Sequence, residues 1–255
     1  MDNFKLSSEQ AELKIANNSF SKSIPLFKWL RGILLLVAGV GISCSESRKA
    51  DPSTLGYDFY PLNIGQYRIY DVEEIKYLVS GFDTTVFQLR ETIFDSISSI
   101  DQTVYLLRRD IRADDTAPWK SDSVWSVTST SNYLSISENN IPYIKLTFPV
   151  KEGRDWDANS LNSKDPSTSY YQSMSNSIID SVGTESHMRV IIEDIEENVT
   201  GVDLRSEVYA RGIGLVEKDY LVQKKCTSSD CGGDLGEVIA GRSLKQVLIE
   251  IGNEE

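Results

Sequence analysis

Period-two alternation of apolar and polar residues is the strongest constraint on how this chain folds. Over 143–150, Ile144, Leu146, Phe148 and Val150 alternate with Tyr143, Lys145 and Thr147. Over 86–93, Phe87, Leu89 and Ile93 share one parity, while Gln88, Arg90 and Thr92 share the other. Successive side chains of a β-strand point to opposite faces, so each run predicts a strand with one face on a core. Over 244–251, Lys245, Val247, Ile249 and Ile251 oppose Leu244, Gln246 and Leu248. Apolar residues on both parities predict a last strand covered on both faces.

Further strands are predicted at 66–73, 104–111, 124–128, 133–137, 187–194, 204–211 and 214–223. Polar turns separate them and no βαβ rhythm intervenes, so the fold class is mainly β and antiparallel, with at most one or two short helices. Segment 170–182 admits two readings, because Tyr171, Met174, Ile178 and Val182 also fall on one helical face. A helix there ranks second to a strand.

The N-terminus carries a different signal. Lys28 and Arg31 precede an apolar run, Gly32 to Ser43, which ends at Cys44 and gives way at once to Ser-Glu-Ser-Arg-Lys. A membrane-crossing helix needs about 20 apolar residues, and this run is too short and too rich in glycine. Basic flank, short apolar core, small residues and a cysteine make the layout of a bacterial lipoprotein signal, with an uncleaved N-terminal anchor and an incidental cysteine as the alternative. The expectation is a signal peptide at 1–43, then a lipidated Cys44 and a flexible tether over 44–56, then a single antiparallel β domain at 57–252. The mature chain would be tethered to the membrane through lipid rather than spanning it.

Without residues 1–43 the chain keeps 212 residues, enough for one large β domain with a real core. It then holds 21 basic and 35 acidic residues, a net charge of −14. That balance repels nucleic acid and anionic headgroups, so no nucleic-acid partner is expected. Cys226 and Cys231 lie five apart across a polar loop. In an exported chain they predict a disulfide pinning a turn, with free thiols as the alternative. A metal centre normally takes four ligands, and the single histidine, His187, is distant in sequence, so no metal is expected.

Three phrases, in order, resemble a family of uncharacterised Bacteroidetes outer-membrane lipoproteins. The first runs from Tyr57 to Tyr70 and contains Tyr60-Pro61-Leu62, then Gly65 and Tyr67. The second places Phe148-Pro149 before Gly153 and Trp156, and the third is Tyr209-Ala210-Arg211-Gly212-Ile213-Gly214-Leu215-Val216. The resemblance implies a curved antiparallel sheet or half-barrel of the lipoprotein-carrier type, lipid-anchored in the outer membrane. Each phrase also reads as architecture: turns at Pro61, Gly65 and Gly153, a core-edge Trp156, and a bulge or tight hairpin at Gly212 and Gly214.

Chemistry is sparse. One histidine leaves no Ser-His-Asp or Cys-His constellation, and no cofactor motif is present; Gly212-Ile213-Gly214 lacks the third glycine of a phosphate loop. Carboxylates are abundant, so a pair acting on glycans is one alternative. The acidic runs at 110–115 and 193–197 lack the spacing of a calcium loop and read as solvated edges. Trp119 and Trp125 flank a polar stretch and are candidate ligand-contact aromatics, with core packing as the competing reading. The leading function is a non-catalytic binding or carrier module for an apolar ligand. The alternatives are a structural or accessory subunit of an envelope protein complex, and a carboxylate-dependent hydrolase.

Overall fold

In the computed structural model, which describes residues 52–100, 102–175 and 186–254, the alternating runs pair into one antiparallel sheet of twelve strands. They are β1 Gln66–Leu78, β2 Gly81–Ser98, β3 Thr103–Arg112, β4 Lys120–Ser129, β5 Tyr133–Glu138, β6 Ile141–Thr147, β7 Asp155–Asp157, β8 Thr168–Ser175, β9 His187–Ile195, β10 Gly201–Ala210, β11 Gly214–Lys225 and β12 Val238–Asn253. The only other elements among the described residues are one helical turn, α1 Pro52–Leu55, and a 3-10 turn at Tyr57–Phe59. The signal segment, Cys44 and residues 45–51 lie outside the described residues.

The strand order is β6-β5-β4-β3-β2-β1-β12-β11-β10-β9-β8-β7. The chain meanders outward from β1 to β6, crosses to the far edge, and meanders back until β12 pairs with β1. A twisted sheet this wide curls, and here the two edges meet. The Ile144 amide on β6 donates to the Ala158 carbonyl just after β7 at 3.0 Å. Tyr171 on β8 donates its hydroxyl to the Thr147 carbonyl and accepts from the Thr147 amide, both at 2.8 Å. Trp156 on β7 donates its indole N–H to the Ile144 carbonyl at 3.0 Å and packs its ring on Tyr171. Edge groups that would otherwise template aggregation are thereby satisfied at the seam.

Inward side chains fill the enclosed space as two clusters. One gathers Phe59, Ile93, Leu107, Leu134, Leu146, Tyr171 and Tyr209, all at most 1% exposed. The other centres on Tyr70, Val72, Leu89, Val216 and Leu248. Between them lies Arg68, fully buried on β1, whose Nε donates to the Ile213 carbonyl at 2.5 Å and whose Nη2 donates to the Pro61 carbonyl at 2.9 Å. Gly214 admits this guanidinium: a Cβ there would sit 2.8 Å from Arg68 Nε.

Within the expected tether, Pro52–Leu55 form the helical turn α1, and the Val150 amide donates to the Leu55 carbonyl at 3.0 Å. Two strand expectations differ from the structure. The last strand buries only one face. Leu244, Gln246 and Leu248 are buried, while Lys245 is exposed and Ile249 and Ile251 are 39% and 46% exposed. Val247, on that outer face, is half-buried. Conversely, the 143–150 run buries residues of both parities, Lys145 and Thr147 as well as Ile144, Leu146 and Phe148. The strand reading of 170–182 holds through Ser175; residues 176–185 lie outside the described residues.

Cys226 and Cys231 form a disulfide, with Cα atoms 5.6 Å apart, inside the β11–β12 loop. Closing so short a loop removes little chain entropy. Replacing both cysteines by alanine is expected to cost about 2 kcal/mol, measured as a lowered urea midpoint at unchanged slope.

Candidate functional site

Two hairpins from opposite walls deliver four charges to one point. The β5–β6 hairpin turns through Asn139 and Asn140, both at positive φ (52° and 66°), the two-residue geometry that asparagine tolerates. It places Glu138 and Lys145 on the inside. The β10–β11 hairpin turns through Gly212 at φ 74° and pairs Glu207 directly with Lys218. Tyr209 and Tyr220 lie two residues further along the same strands, on the same face.

The Lys145 ammonium lies 2.7 Å from Glu138 Oε1 and 3.0 Å from Glu207 Oε1. Lys218 lies 3.2 Å from Glu207 Oε1 and 3.8 Å from Glu138 Oε1. Tyr220 donates to Glu207 Oε1 at 2.6 Å and Tyr209 to Oε2 at 2.5 Å. The Glu207 side chain is 1% exposed, so its charge survives only because these donors surround it.

Electrostatics fix the protonation states. Burial alone would raise the Glu207 carboxyl, but the two ammonium groups and two phenols outweigh it and hold the group below the usual carboxylate range. Glu138 is similarly lowered to about 2, with burial opposed by Lys145 and Lys218. Burial pushes Lys145 down, and Glu138 and Glu207 overcome it, raising the ammonium well above its ordinary value. Lys218 is raised too, against burial, by Tyr220, Glu138 and Glu207. Burial and Glu207 likewise raise Tyr209 and Tyr220.

A cleft of about 300 Å³ opens above this cluster, lined by Tyr143, Lys145, Asn159, Ser169, Arg205 and Glu207 among others. Its rim charges are engaged. Lys164 donates to the Tyr143 hydroxyl, and Arg205 grips Asp203 through two bonds at 2.6 and 2.9 Å. Proton transfer needs a group whose pKa lies near the working pH. Glycan cleavage by two carboxylates needs one of them held protonated. Here both carboxyls are held in the ionised form and both lysines in the charged form, so the cluster ties the walls together through ion pairs.

The residues singled out from sequence fall elsewhere. Trp119 lies on the outer face, its ring between the guanidiniums of Arg90 (4.8 Å) and Arg112 (4.3 Å). Trp125 points inward, stacked under Arg109 at 3.8 Å and packed on the first core cluster. The structure does not bring the two together, and neither lines the cleft. His187 opens β9 opposite Ala210 and is buried. In the acidic runs, Asp110 pairs with Arg90 at 3.0 Å and Arg108 at 3.1 Å, and Glu197 pairs with Lys225.

The quartet itself was missed by sequence reasoning. Its signal is a charged residue two places before a tyrosine on adjacent strands, Glu207 with Tyr209 and Lys218 with Tyr220.

No protein-family model matches the chain, and no curated protein matches it. Among solved structures it is similar to a Bacteroides fragilis protein assigned as exported, with a YmcC-like fold. That match has 13% identity over 76% of this chain and 99% of the other, at a TM-score of 0.41. It is also similar to a protein assigned as a lipoprotein from Parabacteroides distasonis, at 8% identity over 76% and 98% of the two chains and the same TM-score of 0.41.

Proposed function

We propose that this protein is a non-catalytic cell-envelope lipoprotein, held at the outer membrane through Cys44, that acts as an accessory subunit by presenting a rigid β-body to a protein partner. The observation that carries this reading is how the described residues pack the interior beneath the cleft. A carrier of an acyl chain needs an apolar cavity between its walls. Here that space is taken by two packed clusters and by an ion cluster whose members are already paired. In the same cluster both carboxyls are held in the ionised form, so neither supplies the protonated carboxylic acid that glycan hydrolysis by a carboxyl pair needs. What supports the anchor is the basic flank, short apolar run and cysteine of the N-terminal sequence.

Two measurements test the reading. Cys44→Ser is expected to abolish incorporation of a lipid analogue and move the folded protein from the membrane to the soluble fraction; unchanged incorporation overturns the anchor. Native mass spectrometry of the full-length protein solubilised from its envelope is expected to retain a protein partner. A stoichiometric lipid held by the Cys44→Ser protein would instead restore the carrier reading.

A further inference from the structure

In-register pairing aligns five strand ends in one row. Gly81 pairs with Leu78, Leu78 with Ala240, Ala240 with Lys224, and Lys224 with Gly201. The β1–β2 turn, the β9–β10 loop (196–200) and the disulfide loop (226–237) therefore all project from the same end. They carry large apolar side chains into solvent: Leu78 at 53% exposure, Val79 at 54%, Phe82 at 71%, Val199 at 81% and Leu235 at 74%. Val199 and Leu235 line one open depression of about 750 Å³.

These loops are braced. The Lys225 amide donates to the Thr200 carbonyl at 2.9 Å, Lys225 pairs with Glu197, and the disulfide closes the third loop against Val79 near Gly232. Exposed apolar side chains held on fixed loops mark an interaction surface.

We propose that this loop end docks a protein whose contact patch has an apolar centre and a basic rim; the inference rests on the accessory reading above and names its surface. Residues 52–55 lie at the other end, where Arg211, in the β10–β11 turn, donates to the Ser53 carbonyl at 2.8 Å, and the 13 residues of β1 separate the two ends by about 43 Å.

Charge selects the occupant. Glu196, Asp230, Asp234 and Glu237 stand exposed around the apolar groups. They outnumber Lys76 and Lys224, while Lys225 is taken by Glu197 and Arg242 by Glu74 at 2.9 Å. An acidic rim repels both an anionic bilayer and a second copy of a chain of net charge −12. It complements lysine and arginine around an apolar patch.

The test places a photo-crosslinking residue at Leu235 of the full-length protein in its own envelope. Exposed Ile64, which precedes β1 at the opposite end, serves as control. The expected result is a protein adduct about tenfold stronger from position 235, with a cross-linked peptide of apolar residues flanked by lysine or arginine. Glu196→Lys with Asp234→Lys, at unchanged melting temperature, should weaken that adduct about fivefold or more. Adducts confined to lipid or to a second copy, equal yield from position 64, an acidic contact peptide, insensitivity to the charge reversal, or no adduct would each overturn the surface. If a partner co-isolates while position 235 stays silent, the accessory reading stands and this surface falls.

Discussion

Glu207→Ala should destabilise the fold by about 3–5 kcal/mol, the cost of breaking a buried pair and leaving its partners uncompensated. The Glu207 carboxylate accepts from four donors on three strands. Its removal leaves two ammonium groups, 9% and 10% exposed, facing each other across the interior with only Glu138 between them. Glu207→Gln keeps an acceptor for the tyrosines but not the charge, so an intermediate loss is expected. Glu138→Gln should cost less than either, because that side chain is 24% exposed and solvent screens it. Urea unfolding at pH 7 reads all three; a loss below about 1 kcal/mol for Glu207→Ala would mean that the walls are held by apolar packing alone.

The same cluster sets a pH profile. Both carboxyls are lowered in the folded state, so their contribution is complete above the ordinary glutamate value of 4.5 and is lost as pH falls toward about 2. Both lysines are raised, so theirs is complete below 10.5 and is lost as pH climbs above it. The expected curve is a plateau between these limits with a decline on each side. Glu207→Ala should flatten the acid limb more than the alkaline one.

Alternation found the sheet and missed the cluster for the same reason. It sorts residues by polarity, so Ile144, Leu146 and Phe148 are assigned inward, and they are buried. Lys145 is assigned outward, yet it is 8% exposed. The pairing with β5 slips between Leu134, opposite Leu146, and Ser135, opposite Ile144, which makes Lys145 the extra residue of a bulge. No glycine or proline at 145 announces that slip. Thr147 is buried for another reason: the second sheet edge folds onto it, a contact between residues 24 apart that strand periodicity does not encode. For the two tryptophans the sequence leaves ligand contact and core packing open, and Trp125 packs on the first core cluster. Their arginine partners come from neighbouring strands, and only the β2–β3–β4 register reveals them. The turn glycines were legible, since Gly65, Gly153 and Gly212 all take positive φ.

Gly241→Ala and Gly201→Ala should each cost about 2–4 kcal/mol, from two terms that add at the same atom. Both glycines sit at φ near +150°, where a Cβ is poorly tolerated. Both also face the backbone of β11: a Cβ at 201 would lie 1.9 Å from the Gln223 carbonyl oxygen, and one at 241 would lie 2.3 Å from that of Val222. Neither obstacle is a side chain that can swing away, so β10 or β12 must retreat from β11. Gly212→Ala is the control. It shares a positive φ of 74° but meets nothing within 4 Å, so it should cost only about 1 kcal/mol. Hydrogen exchange adds a local readout. The amides of Lys225 and Cys226, bonded to the Thr200 and Glu237 carbonyls, should exchange faster in both variants but not in Gly212→Ala. Equal losses at all three glycines would assign the whole effect to backbone conformation. A larger loss at 201 and 241 shows that the close approach of three strands holds the apolar loops in their row, and so ties the proposed docking end to the body of the sheet.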